Sequence, residues 1–370
     1  MGKCQICQTQ NSQISAKLGV CLDCIRKKPE EALEITEQIH METRKAFNLS
    51  PKPPKDPKGL FCGMCANNCR IPEGSKGYCG LVENRDNKLV RHGGTPQNGI
   101  LEWYYDALPT NCVAWWFCPG CTGAGYPKYA YKPHAETGYS NLAVFYGSCS
   151  LDCLFCQNWH YRNLASRLTP SITAQELANK AEKHVSCICY FGGDPSTQMP
   201  HALKTSQLAL EKAREERRLL RICWETNGNM NLQLAKKAAE LSLKSGGNIK
   251  IDMKTWNENL NIALCGVSNK PTLETFKTIG EKYYNQRPEL PILTASTLLV
   301  SGYVDAEEVE NIAKFISEIN PEIPYTLLAF YPQYVMDDLP STSRKHAEKC
   351  YETAKKYLKN VRIGNIHLLW

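Results

Sequence analysis

No apolar run in the 370-residue chain reaches the roughly 18 residues that a membrane-spanning helix needs. The first residues, Met1-Gly2-Lys3-Cys4, lack the apolar core of a secretory signal. Met1-Gly2 is not followed by Ser or Thr at the position myristoylation needs, which is Ile6. The expected location is therefore cytoplasmic. There is also no block of like charge. Lys and Arg outnumber Asp and Glu to give a net charge of +7, but they are scattered, which reads as solvated surface. The eight histidines show no ligand spacing. Hydrophobic content of 42% and charged content of 22% are ordinary for a globular chain. The length allows a barrel-sized domain and a smaller one.

What the chain has in excess is cysteine, 19 residues. They fall in short groups, which suits metal knuckles in a reducing compartment better than a disulfide scaffold. One group stands apart. Cys149, Cys153 and Cys156 form a C-x3-C-x2-C pattern directly after the apolar run Asn141-Leu142-Ala143-Val144-Phe145-Tyr146. A [4Fe–4S] cluster is normally held by four thiolates. Three close thiolates leave one iron open, as a catalytic metal requires. The bland alternatives are three buried structural thiols or a zinc site.

The first 49 residues carry Cys4-x2-Cys7 and Cys21-x2-Cys24, a four-thiolate pattern followed by a helix from Pro29. Zinc is the first expectation, and a single rubredoxin-type iron the second. Residues 50–59 hold four prolines and read as a linker. The segment 60–139 carries Cys62, Cys65, Cys69 and Cys79, which suit zinc or an auxiliary [4Fe–4S] cluster. Cys112, Cys118 and Cys121 form a further group, which needs a fourth ligand or an open iron, or consists of buried thiols.

From residue 140 to 370 short apolar strands alternate with amphipathic helices. Strands are expected at 141–147, 187–192, 219–226, 248–253, 293–300, 325–331 and 361–368. Helices are expected near 173–184, 199–216, 231–245, 271–285, 305–319 and 343–358. Thr173 to Glu176 is a capping box, and Asp305 precedes a first turn rich in acids. The fold class is α/β, with repeated βα units in a parallel, curved (β/α)6 partial barrel and a small cysteine-rich region before it. Ligands in such sheets sit at the carboxyl ends of strands. Cys187 and Cys189 lie on one face of a strand and read as core, as do Cys223, Cys265 and Cys350.

The three-cysteine pattern, with Phe155 before its last cysteine, resembles the signature of the radical S-adenosylmethionine (SAM) superfamily. The resemblance implies that the open iron chelates SAM and that the reduced cluster splits it to an adenosyl radical. Gly192-Gly193-Asp194 resembles the motif that holds the SAM ammonium, with Asp194 in place of the usual Glu. Further motifs lie around Glu225-Thr226-Asn227-Gly228, Asp252-Met253-Lys254, Cys265-Gly266, Ser301-Gly302 and Tyr331-Pro332. In order and spacing they resemble the pyruvate formate-lyase activating enzyme branch over roughly residues 140–369. That resemblance places Glu225 and Asn227 in the cleft and brings Asp252 and Lys254 to SAM or substrate. The bland reading of Asp252 and Lys254 is a buried ion pair. Residues 62–79 are similar to the cysteine-rich start of some activase-like members. Ser296 and Tyr331 stand where the family often carries Arg and His, which leaves the substrate open.

The expectation is an enzyme using a [4Fe–4S] cluster and SAM to take hydrogen from an unknown substrate, with auxiliary metal sites. Its partners would be SAM and an electron donor such as a ferredoxin or flavodoxin. The alternative within this class is activation of a glycyl-radical enzyme, a partner protein. The alternative outside it is a zinc-rich nucleic-acid-binding module, opposed by the acids of residues 30–42.

Overall fold

Seven parallel strands follow one another in chain order and in space: Ser140–Tyr146, Val185–Gly192, Arg221–Thr226, Ile249–Asp252, Leu293–Leu299, Tyr325–Ala329 and Val361–Gly364. The computed structural model describes residues 1–110 and 112–370. Helices Met199–Glu215, Leu232–Ser245, Lys270–Tyr283, Ala306–Ile319 and Arg344–Lys355 connect the later strands. Three of the five starts are capped by side chains. Asn231, Asp305 and Ser343 accept backbone N–H groups as caps, and Thr173 and Glu176 close the expected capping box before Ala174–Asn179.

The strand side chains divide by the period of two. Tyr190 and Trp224 point outward and stack at 4.7 Å. Tyr190 is hydrogen-bonded to Ser206, and Trp224 donates to Ser242, both on the covering helices. The alternate residues Cys187, Cys189, Phe191, Cys223 and Glu225 face the concave side, where they line a cavity.

The sheet is larger than the βα repeats alone predict. Gly99–Ala107 pairs antiparallel with the first parallel strand, from Leu101 opposite Tyr146 to Ala107 opposite Ser140. The short strand Ser171–Ile172 then adds to Gly99 and Ile100. The segment 60–139 thus contributes a strand to the sheet. Val361–Gly364 and Ser171–Ile172 are the two edges, so the sheet is open. The expected strand at 361–368 ends at Gly364, because Asn365 takes a left-handed backbone and a short 3₁₀ turn follows. The loop after Gly99–Ala107 reaches across the concave side. Trp116 donates to Thr326 of the sixth strand at 3.4 Å, and Arg362 of the seventh lies over Trp115 at 4.1 Å. Further along, a buried pair of Glu136 and Arg221 fixes the loop to the start of the third strand.

The N-terminal knuckle docks on the same body. Arg26 binds Asp305 and Glu308 at 2.8–3.0 Å, and Asp338 accepts from Ser15 Oγ and the Ala16 backbone N–H. The Pro-rich 50–59 stretch is itself held: Arg70 N–H donates to Pro54 and Lys55 to the Asn67 carbonyl. No helix among the described residues is long and apolar enough to cross a membrane.

Candidate active site

A cavity of about 310 Å³ opens at the carboxyl ends of the parallel strands. Its wall includes Cys149, Cys153, Phe155 and Cys156 from the loop after the first strand, and Gly192, Gly193 and Asp194 after the second. Glu225, Asn227, Asp252 and Lys254 come from the third and fourth. Residues far apart in sequence are thus brought together.

The cysteine loop is clamped from several sides. Asp152 is fully buried and accepts from both Arg162 Nε and Nη2, at 3.2 and 2.6 Å, and from Thr43. His40 Nδ1 lies 2.9 Å from it. Burial works against the ionised form, but His40, Arg162 and Arg44 hold the carboxyl well below the usual carboxylate range. The backbone N–H groups of Asp152 and Leu154 donate to the carbonyls of Cys265 and Leu264 at the end of helix Glu258–Cys265. Asn67, between Cys65 and Cys69, donates to the Ser150 carbonyl at 2.7 Å. The N-terminal helix and the second cysteine group therefore both touch the loop. Sequence reading missed these braces, since a single buried His–Asp pair has no spacing signature. It also missed that Cys265, read as core, sits beside Cys153.

The Gly-Gly-Asp turn packs directly on the loop. Gly192 has φ of 108°, and a Cβ on Gly193 would fall 2.2 Å from the Ser148 carbonyl oxygen, so side chains are excluded. Asp194 is buried and its carboxylate accepts from the N–H groups of Ser196 and Asn227 and from the Thr226 hydroxyl, at 2.6–3.1 Å. Burial still pushes it above the usual carboxylate range. Asp194 thus ties the second strand's loop to the third strand's end. Asn227 Nδ2 in turn approaches Cys149 Sγ at 3.5 Å.

Opposite the cysteines runs a charged row. Glu225 and Lys250 are neighbours in strand register and meet at 2.9 Å. Lys250 also reaches Asp252 at 3.4 Å, and Lys254 reaches it at 3.0 Å. Ser296, its register partner on the fifth strand, donates to Asp252. Burial opposes every charge here. Lys250 and Lys254 nonetheless hold the Asp252 carboxyl below its usual range, and Asp252 holds both lysines above theirs. The ion pair expected for Asp252 and Lys254 is present, and it faces the cavity.

Thiol spacing separates two kinds of metal site. Two thiolates on one zinc ion can be at most about 4.6 Å apart, twice the Zn–S bond, and about 3.8 Å apart in a tetrahedron. The sulfurs of Cys4, Cys7, Cys21 and Cys24 all lie within 4.8 Å of one another, and Cys7 and Cys21 are 3.7 Å apart. That suits a single tetrahedral ion. Among the described residues no other set of three or more Cys, His or carboxylate donors is so close. Cys149, Cys153 and Cys156 do not form such a single-ion group. Burial pushes the Cys149 and Cys156 thiols up, and the Cys265 thiol does so for Cys153, so metal binding there displaces protons. Cys62, Cys65, Cys69 and Cys79 also gather without reaching single-ion spacing. Burial, and then the nearby Cys62, push Cys79 up to about 12.

Residues 143–316 match the family model described as the radical SAM superfamily. An uncharacterized protein of Methanocaldococcus jannaschii is 26% identical over 322 residues, which are 84% of this chain and 83% of that one. A second protein of that organism, provisionally named a glycyl-radical enzyme activating enzyme, is 36% identical over 118 residues, 30% of this chain and 42% of its own. Streptococcus suis SuiB, solved with the precursor peptide SuiA, has a TM-score of 0.44 at 15% identity. The match covers 60% of this chain and 47% of SuiB. A domain of pyruvate-formate lyase-activating enzyme from Bacteroides vulgatus has a TM-score of 0.36 at 19% identity, covering 48% and 98%.

Proposed function

We propose that the chain is an enzyme of the radical SAM superfamily, whose family model matches residues 143–316, and that its residues are used as follows. Cys149, Cys153 and Cys156 hold a [4Fe–4S] cluster with one open iron, and SAM fills the cavity beside it. The observation that carries this is the placement of three thiols, Cys149 and Cys153 buried and Cys156 half-buried, in the wall of the strand-end cavity together with the Glu225–Lys250–Asp252–Lys254 row. The bound cluster and SAM supply reductive cleavage of SAM and a radical that takes a hydrogen atom.

The protein's own share is positioning. Gly192 and Gly193 let the turn pack directly on the cysteine loop at the cavity edge, where backbone carbonyl oxygens can meet a ligand ammonium. Asp194 holds that turn against Asn227, and its negative charge adds to the site. Glu225 and Asp252 accept hydrogen bonds from ribose hydroxyls, and Lys254 pairs with a carboxylate. Phe155 covers the cluster side and keeps water out. Cys62, Cys65, Cys69 and Cys79 hold an auxiliary iron–sulfur cluster, and Cys4, Cys7, Cys21 and Cys24 a zinc ion. An external low-potential donor of the ferredoxin or flavodoxin type supplies electrons.

The substrate is a protein or peptide. Support comes from the relative named as an activating enzyme, at 36% identity over part of the chain, and from the open, charged strand-end cavity. A glycyl-radical enzyme as that protein is the narrower form of the same reading. Reduced enzyme mixed with SAM should release methionine and 5′-deoxyadenosine, and Cys156→Ala should release neither. Equal product from both proteins would refute the assignment.

A further inference from the structure

Beneath the active-site cavity lies a second one, of about 130 Å³, on the concave side of the sheet. The two share Phe191 and Glu225 as a common wall. Barrel interiors are normally filled by layers of bulky branched side chains. Here, between Arg221 below and Phe191 and Glu225 above, the inward positions of the first three strands that line the cavity are Asn141 and Ala143, Cys187 and Cys189, then Cys223, none of them a bulky branched side chain. The space they leave is faced by the crossing loop, which brings Cys112 and Cys118 to the same cavity. Cys121 packs against Cys187 with Cys118 alongside. Six thiols from two walls thus converge, three from the sheet and three from the loop.

Their spacing follows from the sheet. Cys187 and Cys189 are two residues apart on one strand, a separation of about 6.6 Å, and neighbouring strands lie about 4.8 Å apart. Cys189 and Cys223 are register partners on such neighbours. Backbone spacings of that size exceed the limit of about 4.6 Å for two thiolates on one zinc. They suit the faces of a multi-iron cluster. Five of these thiols, all but Cys121, line the void, and such an arrangement is otherwise poor packing, since unfilled space costs stability. The cavity is also coupled to the site above: Cys112 Sγ donates to Glu225 Oε1 at 3.2 Å, and Glu225 Oε2 accepts from Lys250.

We propose that this thiol-lined chamber holds an iron–sulfur cluster ligated from both walls, by loop cysteines of the 112–121 segment and by sheet cysteines among Cys187, Cys189 and Cys223. It is separate from the radical SAM cluster and from the Cys62–Cys79 group. Through Cys112 and Glu225 it adjoins the SAM cavity.

The test is iron and acid-labile sulfide per chain on anaerobically prepared, reconstituted full-length protein. Wild type is compared with Cys118→Ser/Cys121→Ser and with Cys187→Ala/Cys189→Ala. Each double variant should lose about four irons and four sulfides per chain, while the electron paramagnetic resonance signal that responds to SAM persists. Unchanged iron and sulfide in either folded variant overturns the proposal, as does loss of zinc instead of iron. Loss of the SAM-responsive signal in wild type would instead count against the radical SAM assignment, so the two failures are distinguishable. If both variants fail to fold, iron anomalous scattering from crystals of the wild-type chain decides. A peak between Cys118 and Cys189 supports the cluster. A peak at Cys149–Cys156 with none in the chamber refutes it.

Discussion

His40 Nδ1 lies 2.9 Å from an Asp152 carboxylate oxygen, and this contact joins the N-terminal helix Pro29–Lys45 to the heart of the three-cysteine loop. Asp152 lies next to Cys153, so helix Pro29–Lys45 and the cluster loop are one mechanical unit. Arg162 and Arg44 face the same carboxylate from inside the protein.

Removing the Asp152 charge would strand two buried guanidinium groups. Breaking a buried pair by removing one partner costs about 3–5 kcal/mol. Asp152→Asn should therefore lower the unfolding free energy by an amount in that range, read from a lower denaturation midpoint. It should also weaken cluster retention, measured as iron per chain. A variant with wild-type stability would show that Asp152 does not organise the loop.

His201 gives a pH signature. It is buried, it pairs with the Tyr146 hydroxyl at Nδ1, and its Nε2 donates to the Ile172 carbonyl at 3.0 Å. Burial pushes its pKa down to about 4. A histidine lowered on folding binds protons more readily in the unfolded chain, so stability is full above the unfolded value of about 6.5. It is lost as pH falls from there toward 4. The size is on the order of 3 kcal/mol, at about 1.4 kcal/mol per pKa unit. His201→Gln should flatten the decline of stability between pH 6.5 and 4. An equally steep decline in the variant would assign the effect elsewhere.

The Cys4/Cys7/Cys21/Cys24 site should be separable from the iron sites. Cys4→Ala should remove about one zinc per chain, leave iron unchanged and open residues 1–28 to protease. Loss of iron in step with zinc would contradict the single-ion assignment.

Asn227 Nδ2 approaches Cys149 Sγ, and hydrogen bonds to cluster sulfurs set reduction potentials. Asn227→Ala should lower the potential of the SAM-responsive cluster without removing it, as read by redox titration. An unchanged potential would show that the amide does not reach the bound cluster.

The parallel sheet and its helices were legible because strand and helix periods are local. Gly99–Ala107 was not: its exposed and buried positions do not alternate cleanly, and only its partner Ser140–Tyr146 completes it. The residues gathered at the cavity were legible as motifs at strand ends. What sequence could not give was convergence. Cys187, Cys189 and Cys223 read as core because a period of two marks which residues share a face and says nothing of what lies opposite. Only the crossing loop, returning through Trp116 to Thr326, places Cys112, Cys118 and Cys121 against them.

The central claim is that Cys149, Cys153 and Cys156 leave one iron open to SAM. It is tested most directly by the electron paramagnetic resonance spectrum of the reduced, anaerobic protein before and after SAM is added. The account predicts a reduced [4Fe–4S] signal whose shape changes with SAM and which is missing in Cys156→Ala. A spectrum that SAM leaves unaltered in the fully reduced wild-type protein would contradict it.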